Sequence, residues 1–446
     1  MTASRPGEFI DNGLLISEID FSGFNLRLST DRYRSREYHE RERDLLWLKV
    51  WQIAGRADEL PQKGDWKTYR LFDQSFILVR GKDDRIRGFI NACRHRGNQL
   101  CDGKGKSTRF TCPYHKWSYG LDGQLLAVAK PDFDGTVEEF VGPKEGLGLV
   151  EVPVECFAGF IFLNPDRQAA PLRDFLGDAA AVLEAYRIDE MVPVGMNVRE
   201  AIDCNWKVVM DAFQEGYHVQ AVHPELVEFM DMSRERFSRI GRHGATTVPF
   251  AAGNDVEKIR ALPAANFPGI AEIRPRFEEL IDAYRQADGS LSFGGGVSPR
   301  SLLQRAARER LTTKGLDVSG LTDNQLSDYQ FWAFFPNVFM QLGAGEATII
   351  IAEPSPDGDP NRCIWHATAY LWFPPEEREA LRTEVVEIPE GEHFPYFLAL
   401  EQDYQQMELQ QRGLRNLGLQ ALALTKQEPR VAHLHAMLDD WLEQAA

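Results

Sequence analysis

Apolar and polar residues change rhythm several times along this chain, and each change predicts a different kind of element. Residues 36–51 (REYHERERDLLWLKVW) alternate charge with apolar residues at helical spacing and predict a leading helix. From Trp66 to Leu125 the rhythm shortens to runs such as SFILVRG and RIRGFINA, broken by Gly and Asp, as in a small antiparallel β domain. Residues 148–163 continue in strand style and stop at Asn164-Pro165, a natural boundary. Residues 172–186 and 206–222 read as helices. Residues 224–326 read as irregular and charged, with a mobile loop at 293–299 (FGGGVSP). Three strand-like runs follow, YQFWAFF, ATIIIAE and CIWHATAYLWF, and helices over 396–417 and 430–442 close the chain.

Length and composition narrow this picture. A chain of 446 residues exceeds what one core usually organises, so two domains are expected. The 43% hydrophobic and 26% charged content is that of an ordinary globular protein. No apolar run approaches the ~18 residues of a membrane span, and the opening MTASRPGEFIDNG lacks the layout of a secretory signal, so a cytoplasmic location is expected. Lys+Arg 50 against Asp+Glu 67 gives −17, a poor basis for binding nucleic acid, where phosphate neutralisation supplies most non-specific affinity. Six cysteines without an export signal read as metal ligands or buried thiols rather than a disulfide framework.

Two constellations carry chemistry. In NACRHRGNQLCDGKGKSTRFTCPYHKWSYGLDG, Cys93 and His95 form Cys-x-His, sixteen residues intervene, and Cys112 and His115 form Cys-x-x-His. Two thiolates for one iron and two imidazoles for the other are the ligand set of a [2Fe–2S] cluster with raised potential. Structural zinc also takes two Cys and two His, but zinc modules group like ligands, and here the types alternate. The segment resembles the Rieske ferredoxin domain of ring-hydroxylating oxygenases over about residues 50–160. It departs at Lys116, where many members have Gly. Cys101 has no partner of the kind that forms a disulfide in respiratory Rieske proteins, and reads as a buried thiol. Arg94, Arg96, Lys104, Lys106, Arg109 and Lys116 surround the motif against one acid, Asp102, a basic island suited to an acidic electron donor.

In NWKVVMDAFQEGYHVQAVHPEL, Asp211, Glu215 and His218 fall at helical spacings of four and three. His218 and His223 are five apart, about 140° on an ideal helix, so both reach one metal only if the helix unwinds between them; Pro224 supplies a reason. Two imidazoles and a carboxylate make the facial triad of non-haem Fe(II) oxygenases. Glu401, Asp403 and Glu408 are the candidate third ligands. The Asn-Trp-Lys opening, the Tyr-His-x₄-His core and a late Asp upstream of Gln411 and Gly413 resemble the catalytic domain of the same Rieske oxygenase family, and that resemblance selects Asp403. His39, His243, His393, His433 and His435 have no partners at ligand spacing, and His366 is at most a pocket residue.

The resemblance implies an α+β chain: a helical segment of the catalytic domain over 1–49, a small antiparallel β Rieske domain over 50–163, and a helix-grip catalytic domain with an antiparallel sheet over 164–446. It implies the oxygenase component of a multicomponent system, a homotrimer or a trimer with small β subunits, fed by an NAD(P)H-dependent reductase with or without a ferredoxin. Glu215 would bridge a cluster histidine and an iron histidine across neighbouring subunits. Asp211 is a further catalytic candidate. Phe331, Phe334, Phe335, Phe339, Met340 and Leu342 would line an apolar pocket for O₂-dependent hydroxylation of an aromatic or other apolar substrate, as in aromatic hydrocarbon catabolism. The Glu-x-Tyr-His form is instead similar to members acting on choline-, carnitine- or betaine-type substrates, although no aromatic cage is visible in the sequence. A non-catalytic electron carrier or redox sensor would carry the cluster without the second iron.

Overall fold

The computed structural model describes residues 13–444 except 131, 228–229, 263–266 and 268, so the expectation about the N-terminal leader lies outside the described residues. The chain forms two compact units. One comprises residues up to His39, Leu176–Ser355 and Asp359–Gln444; the other comprises Glu40–Phe175 with Pro356–Gly358. The boundaries expected near 50 and 163 therefore fall inside the smaller unit, which extends through the turn where Trp51 Nε1 donates to the Ala170 carbonyl at 2.9 Å. Among the described residues no helix is long and apolar enough to cross a membrane.

The smaller unit is built from short antiparallel strands. Its five-stranded sheet runs Glu151–Val152, Ile86–Ile90, Gln74–Arg80, Asp65–Leu71, Lys104–Lys106, with two three-stranded sheets beside it. The expected leading helix is there but widens along its length: Arg36–Glu42 is α-helical and Arg43–Trp47 continues as a π-helical turn. Two loops with matching backbones hold the Cys/His motif. In the first, Gly97 N–H donates to the Cys93 carbonyl, and in the second Lys116 N–H donates to the Cys112 carbonyl, at 2.9 and 3.0 Å. Both loops turn on a left-handed residue, Gly97 at φ +74° and Lys116 at φ +57°. The departure from Gly at 116 is therefore a strained one, because a Cβ disfavours that region. We expect Lys116→Gly to stabilise the unit by about 1 kcal/mol, seen as a higher unfolding midpoint of the cluster-bearing protein.

The larger unit is a nine-stranded sheet. In spatial order it runs Leu14–Leu15, Arg236–Ile240, His243–Val248, then β1 (Tyr329–Phe334), β2 (Val338–Gly343), β3 (Glu346–Pro354), β4 (Cys363–Trp372), Met191–Ile202 and Val386–Glu387. All pairs are antiparallel except the last. Helices α1 (Trp206–Ala212), α2 (Val219–Val222), α3 (Leu398–Leu414) and α4 (Pro429–Gln444) complete the site region. Asn205 caps α1, its side chain accepting from Lys207 N–H at 3.1 Å. Gln411 of α3 accepts from Asn205 N–H at 3.0 Å and donates to Asn361 at 2.9 Å, so a fully buried amide pins α3 to the start of α1.

Residues 224–326 are more regular than expected. They contain helices Ile270–Asp282 and Pro299–Lys314, which enclose their own apolar cluster around Ile273, Phe277, Leu303 and Ala306. Their outer faces carry charge pairs such as Arg276–Glu309 (2.6 Å) and Arg310–Glu272 (2.9 Å). That charge, with Pro275 inside the first helix, masks the apolar stripe in the sequence.

Candidate metal centres and cavity

In the smaller unit Cys93 and Cys112 are buried, while His95 is exposed and His115 half-buried. The two imidazole rings stand 4.7 Å apart edge-on, and His95 stacks on Trp117 at 4.9 Å. Tyr119 anchors the inner end: its hydroxyl lies 3.2 Å from Cys93 Sγ and accepts Arg94 N–H at 3.0 Å. Thiolates inside and imidazoles outside fit a two-iron cluster whose histidine iron faces the surface. A single zinc would need all four ligand atoms drawn together. Among the described residues, His218, His223 and Asp403 form the group of three or more metal-binding side chains whose ligand atoms all lie within 4.8 Å of one another. All six cysteines are free; burial pushes the Cys101 thiol up to about 12, so it stays protonated.

The triad is assembled from a broken helix and α3. The expected helix over 206–222 stops at Ala212 and resumes as the single turn α2. The break lies before His218 rather than between the histidines. Glu215 lies in the break, and its Oε2 accepts the N–H of His218, the residue that precedes α2, at 3.0 Å. Its Oε1 lies 2.5 Å from His218 Nδ1. His223 then leaves the helix at φ −123° and ψ 58°, the non-helical backbone expected before Pro224. The rings stand 5.1 Å apart and nearly perpendicular.

Each imidazole is gripped at Nδ1 and presents Nε2. His218 Nδ1 meets Glu215; His223 Nδ1 meets Gln402 Oε1 at 2.8 Å. His223 Nε2 and His218 Nε2 both face Asp403 Oδ1, at 2.8 and 3.6 Å. Such outer partners fix the tautomer and ring orientation of a metal-binding histidine. Gln402 was not singled out in the sequence; its position next to the carboxylate was the available signal. Removing its acceptor in Gln402→Leu should weaken iron retention about 10–100-fold, measured by dialysis against a ferrous chelator with the cluster absorbance as internal control. The other carboxylates of α3 are otherwise engaged: Glu401 meets His393 at 2.8 Å and Glu408 faces Arg412 at 3.5 Å.

Asp211 does not line the cavity. It accepts from the Tyr33 hydroxyl at 2.7 Å and lies 3.1 Å from His435 Nε2, a network joining α1 to α4 and to the N-terminal Asp31–Arg34 turn. His366 also lies off the cavity, 3.4 Å from Asn197.

The triad opens into a cavity of about 660 Å³ between the sheet and the helices. Strand alternation decides which residues face it. Phe331 and Phe339 do, whereas Phe334, Phe335, Met340 and Leu342 are not among its lining, a smaller set than the sequence suggested. Phe339 touches Phe213 at 5.0 Å and Phe331 at 6.0 Å, and Tyr329 stacks on Phe331 at 6.4 Å, a continuous aromatic wall assembled from three segments. Charged groups are set into it. Burial pushes Glu235 and Glu346 up to about 7 and pulls Arg430 down to about 10.

A [2Fe–2S] ligand set of two thiolates and two imidazoles, in the same chain as a two-histidine, one-carboxylate site opening on an O₂- and substrate-sized cavity, defines a Rieske non-haem iron protein. Residues 50–140 match the Rieske [2Fe–2S] domain, and residues 177–444 match the catalytic domain of the ring hydroxylating alpha subunit. The chain belongs to this alpha-subunit family, and its cofactors are the Rieske cluster and a mononuclear iron. Similar curated proteins include the carnitine monooxygenase oxygenase subunit of Acinetobacter baumannii (33% identical over 204 residues, 45% of this chain and 54% of that protein) and the glycine betaine monooxygenase oxygenase subunit of Pseudomonas aeruginosa (35% over 188 residues, 41% of each). The chain thus spans about half the length of the curated relatives it matches. The fold is shared with a quaternary ammonium Rieske monooxygenase (TM-score 0.63, 20% identity, 93% of this chain and 94% of that one) and with naphthalene 1,2-dioxygenase (0.63, 20%, 94% and 92%).

Proposed function

We propose that this chain is the oxygenase component of a multicomponent Rieske system that hydroxylates an organic ammonium compound. The carrying observation is the cavity itself: the Nε2 atoms of His218 and His223 and the Asp403 carboxylate open directly into it. These three residues would hold the mononuclear iron, and Cys93, His95, Cys112 and His115 the cluster. When bound, the cluster supplies electrons and the iron supplies O₂ activation. The balance is one oxygen atom into a C–H bond and the other into water, with two electrons from NAD(P)H and two protons. Glu215 orients His218 and keeps a lone pair on each oxygen for a cluster histidine of a neighbouring subunit in a trimer.

The aromatic wall supports cation–π recognition of an ammonium group, and Glu225, Glu235 and Glu346 face the same space against one cation, Arg430. The relatives named for carnitine and glycine betaine favour the same substrate class. The wall would also accept an aromatic ring, the reading in which both oxygen atoms enter the product. Arg94, Arg96 and Lys116 are exposed around His95 and His115, a surface suited to an acidic reductase or ferredoxin. A bare electron carrier has no use for the triad and cavity. The deciding experiment is ¹⁸O₂ turnover with NADH and a reductase. One labelled oxygen in product is expected; two would favour the aromatic reading, and no reductase-dependent O₂ uptake would leave only the carrier.

A further inference from the structure

The cavity has a second pole, at the end of the strand rows that line it. Transverse rows of the sheet face it in register. Phe339 of β2 pairs with Ile350 of β3, Gln341 with Thr348, and Gly343 with Glu346. The first of these rows meets Phe213, which follows α1 and leads into the iron-binding turn. Glu346 lies four residues further along β3, about 13 Å at strand rise. At that far row Gly343 is the reason the carboxylate can turn sideways: a Cβ there would stand 2.7 Å from both Cγ and Oε1 of Glu346. The side chain therefore lies across the glycine toward Tyr329, on the strand beyond, and its charge raises the Tyr329 hydroxyl further above its ordinary range than burial alone.

The Glu346 side chain has no hydrogen bond or ion pair among the described residues, and burial, against the opposing Arg310 charge, raises its pKa to about 7. Arg310, the cation that acts on it, has its Nε committed to Glu272 at 2.9 Å. A desolvated carboxylate without a partner is costly, and a positive ligand removes the cost. The opposite pole holds a cation with its own counter-charges, Arg430 in the field of Glu235 and Glu215. Arg430 is 3% exposed, lies over the Phe331 ring at 5.8 Å and donates to the Phe213 carbonyl at 3.3 Å, with Nε and Nη1 unpaired. A cation entering this cavity meets Arg430 already balanced by Glu235 and Glu215 at the Phe213 end, and a carboxylate without a partner at the Glu346 end.

We infer that Glu346, with Tyr329 beside it, is the cation-binding station of the cavity, and that it holds the positive nitrogen of the substrate on the order of 10 Å from the carbon that is hydroxylated. This rests on reading the cavity as the site of an oxygenase acting on organic cations. The bond broken is then a C–H bond remote from nitrogen. The product keeps its C–N bonds, whereas hydroxylation next to nitrogen would release an aldehyde.

The test is calorimetric titration of the iron-loaded protein with tetramethylammonium, butyltrimethylammonium and octyltrimethylammonium, with 1-nonanol as a neutral chain. Affinity is expected to rise with chain length, Glu346→Gln to weaken octyltrimethylammonium at least about ten-fold, and 1-nonanol to bind both proteins alike. Glu346→Lys should reverse the preference toward octanoate, a gain that no folding defect can imitate. Equal binding of octyltrimethylammonium to the native protein and Glu346→Gln would overturn the station while sparing the cation reading. If no ammonium compound binds the native protein, both fall.

Discussion

Replacing Asp403 by Ala should leave a brown protein that makes no product. Asp403 is buried and contributes the carboxylate that both Nε2 atoms face, at 2.8 and 3.6 Å. Without it the site keeps two imidazoles and no carboxylate donor, too few ligands for a ferrous ion. Iron should fall from about three atoms per chain to about two, because the cluster ligands lie in the other unit and are untouched. The visible spectrum should be unchanged and product formation should vanish. Iron content that stayed near three would remove Asp403 from the ligand set. Glu401 and Glu408 do not substitute, since the first is held by His393 and the second turns to Arg412.

Glu215→Gln should have the opposite signature: all iron present, electrons wasted. Glu215 uses one oxygen for His218 Nδ1–H and the other for His218 N–H. Gln has one acceptor, and its amide hydrogens would confront whichever N–H is left, so one bond is lost at about 1–3 kcal/mol. His218 can still ligate through Nε2. Loading should therefore persist while, on the bridging role proposed for Glu215, electron delivery is lost. NADH oxidation should continue with hydrogen peroxide as the main product, and hydroxylated product per NADH should drop about 10–100-fold. Full coupling in the variant would reduce Glu215 to a local partner of His218.

The sequence made some of this legible and hid the rest for identifiable reasons. Cys93, His95, Cys112 and His115 were readable because each pair sits on one tight loop, where spacing alone determines reach. His218 and His223 were readable as a pair, but the position of the helix break was not: nothing in the local pattern says that Glu215 will accept the His218 N–H while its other oxygen meets the His218 ring. Asp403 lies 180 residues from His223 and was chosen by likeness among three acids. Gln402, beside it, passed as an ordinary helix residue. The cavity wall needed the phase of β1 and β2, which a run of aromatics such as YQFWAFF does not reveal, since both faces of that strand are apolar. The helices over 270–282 and 299–314 were concealed by their ion pairs and by Pro275.

The grip of neighbouring residues Gln402 and Asp403 on opposite nitrogens of a single ring has a consequence for anyone moving this centre to another scaffold. Shifting the Gln402–Asp403 pair one place along α3 would swing both by about 100° and strip His223 of both partners at once. The transferable piece is therefore a dipeptide with its own azimuth, and Gln411, two turns on, is the bolt that sets that angle against the strand of chain entering α1.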